Sequence, residues 1–147
     1  MVTVKKISVN ELPELVKMSY EGDNALFEKY FGSQNTFMGC VNSQLAMIYE
    51  MANYKRLSYY KVVYQKKAIG YFVTFDNILY SFAINIKYRK RDILLNWWDS
   101  LKSILNKGFV CYLYKHNERA INFLLNNGMK VLEENQELNT VALINYK

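Results

Sequence analysis

The chain has 147 residues, 51% of them hydrophobic and 22% charged, which excludes a disordered segment and suits one domain with its own core. Its formal charge of +6 at pH 7 permits a phosphorylated cofactor, nucleic acid or an acidic protein as partner, without choosing among them. No apolar run is long enough to span a bilayer, and the start, Met1-Val2-Thr3-Val4-Lys5-Lys6, lacks the apolar region of a secretion signal, so an intracellular or particle-bound protein is expected.

Residues 2–9 alternate and read as a first strand. Asn10 is placed to cap a helix over 11–20, with Pro13 tolerated in its first turn and Gly22-Asp23 breaking it. A short helix over 24–30 and a turn at Gly32-Ser33 follow. Phe37, Val41, Leu45 and Ile48 make a helical stripe within 35–54. Residues 58–65 are rich in Tyr and Val and form a strand. Lys66-Lys67 reads as the tight turn to a second strand over 68–75, and Asp76-Asn77 as the turn to a third over 78–84.

The period then changes. Ile93, Trp97, Leu101 and Ile104 fall on one helical stripe, which Leu94, Trp98 and Leu105 widen. Lys87, Arg89, Lys90 and Arg91 sit between the two periods. Cations at a helix start face the positive end of the dipole, at roughly 0.3–1 kcal/mol each. The free N–H groups there suit an anion. The stretch reads as a solvated basic turn, with Asp92 offsetting part of its charge, or as a phosphate-binding turn. The helix ends near Asn106-Lys107-Gly108. A strand over 109–114 follows, then a helix capped by Asn117 and stopped by Gly128. Strands over 129–133 and 140–146 close the chain. The order predicts a single α/β domain over 1–147, a mixed and mostly antiparallel sheet flanked by helices.

Cys40 and Cys111 stand far apart in no metal spacing, and a buried free thiol is expected at Cys111. His116 is the only histidine, so no His-based triad is supported. It reads as a surface loop residue. Asp76 sits in a turn, Ser81 and Asn85 are not bases, and no catalytic residue is assigned. Trp97 and Trp98 read as core plus edge.

This order and two motifs resemble the GCN5-related N-acetyltransferase (GNAT) family. Tyr88-Arg89-Lys90-Arg91-Asp92-Ile93-Leu94 lies where that family has Tyr-Arg-Gly-x-Gly-Ile-Gly. Asn117-Glu118-Arg119-Ala120-Ile121-Asn122-Phe123-Leu124, followed by Gly128-Met129, lies where it has Asn-x-x-Ala-Ile-x-x-Tyr-x-x-x-Gly-Phe. The resemblance implies that the first motif wraps the pyrophosphate of acyl-coenzyme A. It also implies that a backbone N–H near Ile84 polarises the thioester carbonyl. The cofactor site so implied comprises Ile84, Ile86, Arg89, Lys90, Arg91, Asp92, Ile93, Leu94 and Asn117.

The chain departs from the pattern in three places. Asp92 and Leu94 replace glycines, and Leu124 replaces the tyrosine that protonates the departing thiolate. Leu94 obstructs the loop and Asp92 repels a phosphate, so weak or absent coenzyme A binding is expected. The Phe123-Leu124 pair resembles a narrower group, the acetyltransferase-like internal virion proteins of podophages. The expectation is therefore a non-catalytic protein that binds other protein chains in or on a phage particle, without a cofactor. The alternative is an acetyl-CoA-dependent N-acetyltransferase acting on a protein or small amine. Nucleic-acid binding through the basic turn ranks below both.

Overall fold

The computed structural model describes residues 1–24, 26 and 37–146. In chain order the elements are β1 (Val2–Ile7), α1 (Leu12–Tyr20), α2 (Phe37–Ala52), β2 (Ser58–Tyr64), β3 (Lys67–Phe75), β4 (Ile78–Ile84), α3 (Arg91–Ile104), β5 (Val110–Tyr114), α4 (Glu118–Asn126), β6 (Met129–Asn135) and β7 (Thr140–Asn145). The expected turn at Gly32-Ser33, and all of the expected 24–30 helix but residues 24 and 26, lie outside the described residues.

The strands form one sheet in the order β1-β2-β3-β4-β5-β7-β6. Pairing is antiparallel throughout except between β4 and β5. This is the mixed, mostly antiparallel sheet that the element order predicts.

Local chemistry shifts several boundaries. Gln65 and Lys66 both have left-handed backbone, at φ 50° and 66°. Tyr64 pairs directly with Lys67. The β2–β3 turn is thus the two-residue type whose twist matches the strands, centred one residue earlier than expected. Residues 9–11 form a 3-10 turn, so β1 ends at Ile7 and Asn10 does not cap α1. A second 3-10 turn, Ile86–Tyr88, delays α3 to Arg91. Asn117 occupies the cap position of α4 but its side chain makes no capping bond. Gly128 follows α4 at φ 102°, the left-handed stop that glycine adopts cheaply.

Two cores sandwich the sheet. On one face α3 and α4 bring Trp97, Trp98, Leu101 and Leu124 against Phe72, Leu79, Phe109 and Leu143. On the other, α1 and α2 bring Leu12, Val16, Cys40 and Ile48 against Tyr71, Val73 and Ala83. Both tryptophans are core residues, so neither is an edge residue. Gly70 marks the tightest backbone approach between β3 and β4. A Cβ there would overlap the Ala83 carbonyl oxygen and stand 2.8 Å from Ile84 Cδ1.

Candidate functional site

The site begins with a bulge. Val73 pairs with Ser81, but Thr74 pairs with Leu79, so Tyr80 is an extra residue on β4. A bulge bends its strand and adds twist. Accordingly β4 stays with β5 for only two pairs, Ile78 with Val110 and Leu79 with Cys111. The bulge also resets the alternation. Tyr80 and Ser81 both pack toward α1 and α2, where Tyr80 Oη donates to the Met47 carbonyl at 3.4 Å and Ser81 bonds Tyr71. Phe82 returns to the other face and stacks on Trp97 at 5.6 Å.

Beyond the bulge, backbone direction is fixed by two bonds. Asn85 N–H donates to Ile69 at 2.8 Å, toward β3. The Ile84 carbonyl accepts from Arg89 Nε at 2.8 Å instead. A residue in an antiparallel ladder turns its N–H and C=O to the same side. Phe82 and Ile84 therefore turn theirs toward the space β5 has vacated.

That space is a cavity of about 810 Å³. The end of β4 and the turn after it supply Phe82, Ala83, Ile84, Ile86 and Arg89. Helix α3 supplies Leu94 and Trp97. The start of α4 supplies His116 through Ala120 and then Phe123. Tyr20, Asp23 and Leu26 close the side nearest α1.

Of the nine residues the motifs suggest, Ile84, Ile86, Arg89, Leu94 and Asn117 meet in this wall. The other four do not. Lys90, Arg91 and Asp92 are exposed at the start of α3 and outside the lining. Ile93 is buried in the α3/α4 core, because it heads the apolar stripe of its helix. Leu124 is likewise fully buried in that core, and Phe123 is the α4 aromatic that faces the cavity.

Arg89 has a different role from the one expected. Its Nη2 lies 2.6 Å from Asp23 Oδ2, and the Asp23 side chain is only 5% exposed. A buried carboxylate needs such a partner. The guanidinium therefore fastens the β4 end to the turn after α1. Asn85 adds a second tie, donating from Nδ2 to the Met18 carbonyl at 2.7 Å.

Next to this clamp runs a line of hydroxyls. Gln44 Nε2 donates to Ser81 Oγ at 2.6 Å. Ser81 Oγ and Tyr71 Oη are 2.8 Å apart, and Tyr71 Oη and Tyr20 Oη 3.2 Å. Burial pushes the Tyr71 phenol up to about 12, against its hydrogen bonds to Ser81 and Tyr20. Cys40 is pushed up to about 12 by burial and then by the Asp23 charge, and burial pushes Cys111 up too. Both buried thiols stay protonated near neutral pH and are poor nucleophiles. His116 is exposed, as expected of a loop residue, but it lines the cavity mouth, with its Nε2 accepting from Asn139 Nδ2 at 2.7 Å. Among the described residues no His, Cys, Asp and Glu cluster could hold a metal ion, and no helix is long and apolar enough to cross a membrane.

Sequence reasoning missed Tyr20, Asp23, Glu118 and Arg119 as wall residues. Asp23 reads as a helix breaker after Gly22, and no pattern links it to an arginine so distant in the chain. Glu118 and Arg119 lie inside the second motif, at positions where the motif specifies nothing.

No protein-family model and no curated protein matches this chain. Solved structures do. PaiA N-acetyltransferase from Thermoplasma acidophilum, in complex with coenzyme A, superposes with a TM-score of 0.62 at 16% identity, covering 100% of this chain and 99% of that one. A GCN5-related N-acetyltransferase from Rhodopseudomonas palustris gives 0.69 at 11% identity, over 99% and 95%. AAC(6')-Ib, in complex with ribostamycin and coenzyme A, gives 0.68 at 12%, over 99% and 93%. The fold is that of the GNAT acetyltransferases. The likeness runs over essentially the whole chain, so the split between β4 and β5 belongs to a complete GNAT-type sheet.

Proposed function

We propose that the chain is an acyl-CoA-dependent N-acyltransferase acting on a primary amine. One observation carries this reading: β4 leaves β5 after two residue pairs and turns the Phe82 and Ile84 backbone into a cavity of about 810 Å³. Two similar structures are complexes with coenzyme A. Acetyl-CoA, when bound, supplies the activated acyl group. The N–H groups of Phe82 and Ile84 are aimed where a carbonyl oxygen gains charge during acyl transfer, and fixed donors of this kind are a large source of rate enhancement. The start of α3 suits phosphates: Lys90 makes no side-chain cap there, and it is exposed together with Arg91. Asp92 is exposed on the helix and lies outside the cavity wall. Leu94 fills room that a glycine would leave. Incubation with acetyl-CoA and a series of primary amines tests the proposal. Release of the coenzyme A thiol that depends on the amine is expected, and no release with small amines, polyamines or peptides would contradict it.

A second reading has its own support. Tyr112 and Tyr114 on β5 are 46% and 41% exposed, on the opposite side of the strand from buried Cys111 and Leu113. Exposed tyrosines suit protein interfaces. On this reading the chain is a non-catalytic component of a tailed-phage particle that binds other virion proteins. Mass spectrometry of purified particles tests it, with the chain present at a fixed copy number as the expected result. Its absence from particles would contradict that role.

A further inference from the structure

We infer that Tyr20 is the proton donor of this site, serving the thiolate that leaves when an amine attacks the thioester. The inference rests on the acyltransferase reading. Four groups in the cavity wall carry or accept a transferable proton: Tyr20, Asp23, His116 and Glu118. Asp23 is held as a carboxylate by Arg89. His116 and Glu118 are exposed at the mouth, and His116 is bonded to Asn139. Tyr20 is only 7% exposed and forms part of the inner wall.

The line of hydroxyls sets the direction in which Tyr20 donates. The Gln44 amide nitrogen can only donate, so Ser81 Oγ accepts from it. The Ser81 proton is then available to Tyr71 Oη, and the Tyr71 proton to Tyr20 Oη. Followed through, each hydroxyl accepts from the one behind it, and the Tyr20 proton is directed out of the line. The line also sits beside the backbone donors. Tyr71 pairs across the ladder with Ala83, which lies between Phe82 and Ile84. Burial favours the protonated phenol at Tyr71, which keeps the line intact near neutral pH.

The step balances without a further reactant. The amine nitrogen attacks the thioester carbonyl carbon and the C–N bond forms. The C–S bond breaks, and sulfur leaves with the electron pair and takes the Tyr20 proton. The Tyr20 phenolate then takes the proton that the acylated nitrogen sheds. Tyr71 is a positioning residue, acting through Tyr20.

Tyr20→Phe and Tyr71→Phe test this, with thiol release from acetyl-CoA followed across the pH range and acetyl-CoA binding followed by calorimetry. A general acid typically contributes roughly 10²–10⁴-fold. Tyr20→Phe should therefore lower turnover by about 10²-fold or more and flatten the alkaline limb of the pH profile, with acetyl-CoA affinity unchanged. Tyr71→Phe should lower turnover less and move that limb without removing it. Wild-type turnover in Tyr20→Phe would overturn the inference and leave the acyltransferase reading standing. Loss of acetyl-CoA binding in Tyr20→Phe would make Tyr20 a binding residue and also overturn it. Absence of turnover in the wild-type chain would overturn both.

Discussion

Against α3 and α4 the sheet buries Trp97, Trp98, Phe109 and Leu101, and the two indole N–H groups have no hydrogen-bond partner among the described residues. Against α1 and α2 it buries Ser19, Asp23, Tyr71, Ser81 and Asn85, and each of these has a hydrogen bond or an ion pair. The first face gains stability from area and ring packing. Its tryptophans lie 6.1 Å apart and both touch Phe123. The second gains less, because a polar group must be desolvated before its bond is made. Polar burial concentrated on one face, at the cavity's edge, marks the side where directional bonds fix the geometry of a site.

The comparison breaks most visibly at Trp98, which is buried in the dry core and outside the cavity wall. Trp98→Ala should cost about 3–5 kcal/mol, measured by chemical denaturation. A loss below about 1 kcal/mol would mean that the α3/α4 core does not dominate stability. Gly70→Ala joins the two faces, since its Cβ strikes β4 backbone beside Ile84. It should cost about 1–3 kcal/mol and weaken ligand binding, because the β4 end must move. On the polar face, Asp23→Asn leaves Arg89 without its carboxylate. A loss of about 1–3 kcal/mol is expected, together with weaker acetyl-CoA binding as the β4 end loosens. Unchanged binding would show that the clamp does not shape the cavity.

The smallest effect concerns pH. Cys40 and Tyr71 are raised from ordinary values of 9.0 and 10.0 to about 12. Groups held neutral in the fold contribute stability that is fully present below their unfolded values, and the unfolded chain ionises first as pH rises. Stability should therefore hold to about pH 9 and fall between about pH 9 and pH 12, read from denaturation midpoints. In the same samples at about pH 8, a thiol reagent should label neither cysteine until denaturant is added.

The strands were readable because Tyr and Val alternate along β2 and aromatics punctuate β4, and the helices because their apolar stripes recur every three or four residues. The second motif placed Asn117 and Ala120 at the cavity correctly. The bulge was not readable, since the run from Ile78 to Ile84 alternates plausibly straight through Tyr80. The consequence was large, because that one extra residue separates β4 from β5. The basic turn was over-read. Four cations in a row look equivalent, but Arg89 turns inward to Asp23 whereas Lys90 and Arg91 stay in solvent. Only tertiary geometry makes that distinction, through a carboxylate on a distant turn that has no other way to be buried.

The central claim is that the gap between β4 and β5 takes acyl-coenzyme A. Titration calorimetry of the purified chain with acetyl-CoA tests it most directly, with Ala120→Trp as the companion variant because Ala120 lines the cavity. Saturable binding at one site, at roughly micromolar to sub-millimolar concentration, abolished by Ala120→Trp while the variant remains folded, is the predicted result. No heat of binding in the wild-type chain, or equal binding in Ala120→Trp, would contradict it.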